Sequence, residues 1–317
     1  MTVQIPPALQ ALVDGLNAGL AAHIRPDTGL QDPLDARPSP PDHYGQVCAA
    51  LALACAGAQD WTHGRPALQA WLNLPPERLG HLPFNRLALL LLQRVLDAHG
   101  TGDSERTAIA AGLQRCTLRG HYPSNNWTLL AQTCRLLEAP PPERAREARR
   151  MAALLERWTT RKGGFIDFPA RPDRRFSTPL AYHHKALFLA ALASHVCDDA
   201  ALRRHAHRLL DWLVHCWDPA GYAGGFGRST HALFGDGCLI AALVLLGVDA
   251  RTDGDPLTAL ATRLQRQRRA DGLLWLNPAG PESAAASWDS YMHLSVYNAW
   301  AAAMIGAALF LRRSADP

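Results

Sequence analysis

"GRSTHALFGDGCLIAALVLL", residues 227–246, holds the pattern from which the architecture follows. A loop carrying glycine and arginine runs without a spacer into a helix that is apolar on every face. A surface helix shows one apolar stripe, so a helix apolar all round must be covered on all sides. The same arrangement, a loop of Gly, Pro, Asn or Asp followed by an Ala/Leu-rich helix, occurs five more times. The others are "PDHYGQVCAALALACAGA" (41–58), "PFNRLALLLLQRVL" (83–96), "SNNWTLLAQTCRLL" (124–137), "STPLAYHHKALFLAALA" (177–193) and "WDSYMHLSVYNAWAAAMIGAALFL" (288–311). Their starts near 42, 83, 125, 178, 228 and 289 are 41, 42, 53, 50 and 61 residues apart, enough for a helical hairpin and its loop each time.

Between them lie charged, amphipathic helices at about 64–73, 103–118, 141–160, 199–217 and 254–268, with 6–23 opening the series. An alternation of fully apolar and one-sided helices predicts two concentric rings, the apolar set inside. The expectation is an all-α (α/α)6 toroid of helical hairpins with short irregular or β-like rim loops, one domain over residues 1–317. The alternative is an open solenoid of helical pairs, which would need polar capping repeats that neither end supplies. In a toroid the inner helices are parallel and their N-termini share one rim. Glycine-rich loops there let backbone approach a ligand closely, and helix N-termini favour anionic groups.

Composition narrows the function classes. Hydrophobic residues make up 48% and charged residues 19% of the 317, enough for a large core and too apolar for global disorder. The net charge of +4 comes mainly from arginines scattered over helix faces, as in "LRRHAHR" (202–208), and no basic stripe interleaved with aromatics marks a nucleic-acid site. Seven cysteines, 48, 55, 116, 134, 197, 216 and 238, form no CxxC and sit mostly in apolar runs. They read as small buried hydrophobes of a reducing compartment, without disulfides. The N-terminus has no signal-peptide pattern, and "AWAAAMIGAALFL" (299–311) reads as too short and alanine-rich to span a bilayer. These features predict a cytoplasmic protein with no membrane or nucleic-acid partner. They leave the oligomeric state open.

Candidate site residues gather at the inner-helix starts. The third start offers Asn125, Asn126 and Trp127, where one asparagine would suffice as an N-cap. The fourth, with "GGFIDFP" before it, offers Asp167, Tyr182, His183 and His184. Adjacent histidines point about 100° apart on a helix and do not readily share one metal ion. The fifth supplies Arg228, His231 and Asp236; its Gly224, Gly225 and Gly227 lack the Lys-Ser/Thr of a phosphate loop. Asp42, His43 and Tyr44 stand at the first start, and Trp288, Asp289 and Tyr291 at the sixth. Trp275 joins Trp127 and Trp288 as a flat apolar platform. No metal and no cofactor is called for.

The pattern resembles the (α/α)-toroid carbohydrate-active enzymes, in particular the toroid domains of uronate polysaccharide lyases. The resemblance runs over the inner-helix starts from Asp42 to Tyr297. "NNW" is similar to the asparagine-aromatic motif of those lyases, "GGFIDFP…TPLAYHHK" to their glycine-aromatic segment and tyrosine-bearing helix, and "FGRS" to an arginine-serine segment of related toroid proteins of unassigned activity. It departs from them in having Asp167-Phe168 where a histidine is often expected, and no β-sandwich domain follows. The resemblance implies a lyase cleaving a uronate-containing oligosaccharide by β-elimination. Asn126 and Arg228 would stabilise the substrate carboxylate, and Tyr182, assisted by His183, would move the C5 proton. The alternatives are a glycoside hydrolase using a carboxylate pair among Asp42, Asp167, Asp236 and Asp289, and a toroid enzyme of terpenoid or other apolar substrates.

Overall fold

The computed structural model describes residues 5–34, 37–39, 43–168, 178–213, 215–223, 233–248, 255–276 and 293–315. Twelve α-helices occur in these residues, and they alternate as the hydropathy pattern requires. The inner ring is α2 (Gly45–Ala56), α4 (Leu82–Ala98), α6 (Asn125–Glu138), α8 (Leu180–Cys197), α10 (Leu233–Leu246) and α12 (Leu294–Ala315). The outer ring is α1 (Pro7–His23), α3 (Ala58–Leu72), α5 (Asp103–Arg115), α7 (Pro141–Arg157), α9 (Ala200–Leu213) and α11 (Pro256–Gln265). The helix α3 starts at Ala58 rather than near 64, because the single residue Gly57 is enough to separate it from α2.

Burial follows the rings. Every side chain of α10 from Leu233 to Leu245 is buried, whereas α9 buries only Leu202, Ala206, Leu209 and Leu213, a single stripe at helical spacing. The glycines of "FGDGC" are part of this packing. A Cβ on Gly235 would lie 2.7 Å from the Ala181 Cα of α8, and one on Gly237 would lie 2.7 Å from the Ala301 Cα of α12. Only residues without a side chain let α10 approach both neighbours so closely.

The ring closes through its ends. Asp32 Oδ2 accepts from the Ser295 backbone N–H at 2.8 Å, 263 residues away, and Gln265 Nε2 donates to the Ala8 carbonyl at 2.7 Å. The open solenoid is thereby excluded. One consequence concerns α12. Its segment Leu294–Ser314 has a mean hydropathy of 1.6 and is long enough to cross a bilayer, contrary to the expectation from its alanine content, but 89% of it is buried in the toroid. Its apolarity serves the inner ring.

Four outer helices are each followed by the same tight reversal, the form that the expected β-like rim loops take here. The strand pairs β1 (Ile24–Arg25) with β2 (Gly29–Leu30), and β3 (Trp217–Asp218) with β4 (Tyr222–Ala223), join Ile24 to Leu30 and Trp217 to Ala223. Isolated bridges join Thr159 to Phe165 and Arg268 to Leu274 with the same six-residue spacing. Three of these reversals are fastened to the next inner helix by one buried polar side chain. Gln46 both accepts from the Leu30 N–H (2.8 Å) and donates to its carbonyl (2.9 Å), and Asn298 does the same for Leu274 at 2.8 and 2.9 Å. For Phe165 the clamp is His183, whose Nδ1 accepts the Phe165 N–H at 3.1 Å.

Candidate active site

Beyond three of these reversals, the residue two places on reaches back over the start of the preceding inner helix. After Phe165 this residue is Asp167. Its carbonyl accepts the Asn125 N–H at 2.8 Å, and its Oδ1 accepts the Asn126 N–H at 2.9 Å, so two of the orphan donors of α6 are satisfied. After Leu30 it is Asp32, which caps Ser295 of α12 in the same way, and after Leu274 it is Leu276, whose carbonyl accepts the Leu233 N–H of α10 at 3.1 Å.

Beside Asp167 the rim opens into a cavity of about 520 Å³, between the starts of α4, α6 and α8. Asn126, Trp127, Asp167 and Tyr182 line it, so four of the expected residues are brought together. Asp167 is buried, Tyr182 stands in the first turn of α8, and Trp127 lies edge-on to His81 and Phe84 with ring centroids 4.9 and 5.1 Å apart. Phe168 is 36% exposed at this cavity, one of two large apolar side chains so exposed among the described residues.

Asn126 is held on every side. Its Nδ2 donates to Asp167 Oδ1 at 2.6 Å and to Ser124 Oγ at 3.1 Å, and its Oδ1 accepts from Lys185 Nζ at 2.6 Å. An amide has two N–H hydrogens, and both are engaged here. Asn126 therefore has none left for a substrate carboxylate, which corrects the role expected of it. Lys185 is completely buried, with its Nζ 4.2 Å from the centroid of the Phe84 ring. Burial brings its pKa down to about 7, against the opposing pull of Asp167.

His183 does not reach the cavity. Besides the Phe165 N–H on Nδ1, its Nε2 lies 2.9 Å from the Leu209 carbonyl of α9, which fixes the Nε2–H tautomer. Burial lowers its pKa to about 4. With both nitrogens bonded to backbone it cannot assist Tyr182, and its work is that of Gln46 and Asn298.

The remaining expected residues divide. Asp236 is bound to Arg263 of α11 in a buried ion pair of 2.6 Å, so it is a structural link between rings and not a rim group. Asn125 donates its Nδ2 to the Ile166 carbonyl at 2.8 Å, fastening the segment that carries Asp167. Tyr44 is buried and stacked on Phe84 at 4.6 Å, and His184 is buried against Gly235. Trp275 lies under the guanidinium of Arg269 at 4.1 Å, away from the cavity. His43 is within 5.3 Å of the His81 ring and 6.2 Å of His293. Asp42, Arg228, His231, Trp288, Asp289 and Tyr291 lie outside the described residues. Among the described residues, no group of three His, Cys, Asp or Glu side chains is placed to hold a metal ion.

Several cavity residues escaped the sequence reading. His81 is the N-cap of α4, so the rule that singled out the other helix starts would have found it. Asn85, fully buried, fixes its position by donating Nδ2 to the carbonyls of His43 (3.2 Å) and Leu79 (3.0 Å). Arg119 and Tyr122 lie in the loop before α6 and carried no motif. Tyr122 Oη accepts the Arg119 N–H at 3.0 Å.

No family model and no curated protein matches the sequence. Solved structures do. An α-1,6-mannanase from Salegentibacter sp. HEL1_6 matches with a TM-score of 0.63 and 10% identity, over 95% of this chain and 99% of its own. The unsaturated glucuronyl hydrolase from Bacillus sp. GL1 matches with a TM-score of 0.61 and 12% identity, over 94% and 96%. A D-mannose isomerase matches with 0.61 and 12%, over 99% and 100%. The protein is an (α/α)6 toroid. At identities of 10–12% the toroid is what the chains share, and the cavity of this one lies at the rim where its inner helices begin.

Proposed function

We propose that the protein is a carbohydrate-active enzyme whose substrate, a sugar or short oligosaccharide, binds in the rim cavity. One observation carries this reading: four aromatic residues (Tyr122, Trp127, Phe168, Tyr182) line a single space of about 520 Å³ together with Asp167 and His81. Aromatic faces pack against the C–H faces of sugar rings, and polar groups among them meet the hydroxyls. The three toroids named above are a mannanase, a glucuronyl hydrolase and a mannose isomerase, in keeping with such a substrate.

The finer chemistry we favour is β-elimination on a uronate. Tyr182 would take the proton beside the carboxylate and return it to the leaving oxygen. Arg119, whose side chain is exposed at the cavity, would take over from Asn126 the stabilisation of charge on the carboxylate, together with Arg228. Hydrolysis is the second reading, favoured by the presence of Asp167 in the cavity. It requires a second carboxyl about 5 to 9.5 Å away, for which Asp42 and Asp289 are the candidates.

Incubation with uronate oligosaccharides and, separately, with neutral oligosaccharides separates the two. Absorbance from an unsaturated product, lost in Tyr182→Phe, is the result expected of a lyase. New reducing ends without that absorbance, lost in Asp167→Asn, would establish hydrolysis. Activity surviving both substitutions would remove the cavity from the reaction.

A further inference from the structure

Among the described residues, Lys185 has no counterpart where the same architecture recurs. At the α12 start, Asp32 caps Ser295 without any lysine, and the neighbouring polar contact is between the hydroxyls of Ser295 and Ser39 at 3.2 Å. At the α10 start, Leu276 serves through its carbonyl alone. Capping an inner helix here therefore requires neither a cation nor even a carboxylate. Yet at the α6 start a lysine is buried to 0% exposure, a position that lysine occupies at considerable desolvation cost.

We propose that Lys185 is a positioning residue for the cavity carboxylate. Its ammonium donates to Asn126 Oδ1 and so selects the one amide orientation in which both Nδ2 hydrogens face away from it, toward Ser124 Oγ and Asp167 Oδ1. The reversed amide would set two donors against each other at Lys185 and two acceptors against each other at Asp167. Asp167 Oδ1 thus receives a side-chain and a backbone N–H, with a positive charge behind the amide, and the carboxyl is held ionised in a fixed orientation beside the cavity. Among the described residues, the groups facing Lys185 are Asn126 and Cys134 of α6, Asp167, Phe84 of α4, and Phe234 and Cys238 of α10. Asp167 is the acidic one among them. Both thiols are raised by burial, that of Cys238 to about 12, so they stay protonated while a carboxyl titrates.

The inference rests on the cavity being the active site, but its test needs no substrate. In the full-length protein, the Asp167 carboxyl carbon is followed by NMR against pH and assigned by its absence in Asp167→Asn. Lys185→Met should move the Asp167 midpoint up by about one pH unit, because the variant loses both the charge and the amide orientation. The equivalent carboxyl, Asp32, should keep its midpoint. If Lys185→Met does not fold, Lys185→Gln is measured instead; it keeps an N–H for Asn126 but lacks the charge, and an upward move is again expected. An unchanged Asp167 midpoint in a folded variant overturns the proposal, as does an equal movement of Asp32. Full turnover by both Asp167→Asn and Tyr182→Phe would refute the active-site reading and leave the coupling of Lys185 to Asp167 standing.

Discussion

Where α12 meets α2, Asp32 caps Ser295 and Gln46 clamps Leu30; where α6 meets α8, Asp167 caps Asn126 and His183 clamps Phe165. The backbone task is the same in both sectors, since a reversal after an outer helix must be tied to the inner ring on either side. The side chains that perform it differ. In the first sector the clamp is the neutral amide of Gln46, and the Asp32 cap has the Ser295 and Ser39 hydroxyls beside it. In the second, the cap continues through an amide to a buried lysine and opens on a cavity. The contrast separates the polar residues of the scaffold from the rest. An aspartate or histidine at a helix start can be a structural part whose counterpart elsewhere in the ring does the same work, and what the repeat does not explain is left for chemistry.

Exchanging the carboxyls tests this comparison most severely. Tyr182→Phe should lower turnover by about 10²- to 10⁴-fold if the reaction is elimination, and Asp167→Asn by as much if it is hydrolysis, the range for loss of a proton-transferring group. Asp32→Asn should leave turnover unchanged and cost about 1 kcal/mol of stability, as a weakened helix cap does. Steady-state rates and urea midpoints on the three variants decide it, and comparable losses of turnover at Asp32 and Asp167 would break the distinction.

Next in size is the clamp. His183 is depressed to about 4, so the unfolded chain binds an extra proton between there and the ordinary value of 6.5. Its stabilising contribution is complete above about pH 6.5 and is lost as pH falls toward 4, amounting to on the order of 3 kcal/mol. His183→Gln, which imitates the Gln46 clamp, should flatten unfolding free energy across that window and leave turnover at pH 7 intact. A large loss of turnover in a folded His183→Gln would return the histidine to the reaction.

Lys185 has the opposite placement on the pH scale. The folded protein releases its proton near pH 7 while the unfolded chain holds it to 10.5, so stability should rise with pH above 7. Between pH 7 and 8.5 the gain should be about 1 to 2 kcal/mol, absent in Lys185→Met. At higher pH the buried thiols oppose it, because the unfolded chain ionises cysteines that the fold keeps protonated. Chemical denaturation of both proteins at a series of pH values measures the effect. The smallest expected change is at the cavity mouth. Phe168→Ala should weaken sugar binding by about 1 kcal/mol without altering stability, as read by calorimetry.

The two rings were legible from residue order alone, because an inner helix must be apolar on all faces and an outer one on a single stripe. The starts at Gly45, Leu82, Asn125, Leu180, Leu233 and Leu294 accordingly fall within five residues of those expected. The sequence also marked Asn126, Trp127, Asp167 and Tyr182 as companions, since each lies at or just before a helix start on the shared rim. It did not decide what those residues do. Only the tertiary structure showed that His183 is spent on the Phe165 and Leu209 backbones, that Asp236 is neutralised by Arg263, and that Lys185 reaches Asn126. Each of these depends on partners 18 to 59 positions away along the chain. Helical periodicity sets the face on which a side chain lies, but the donor or acceptor that it meets there is chosen when the ring closes.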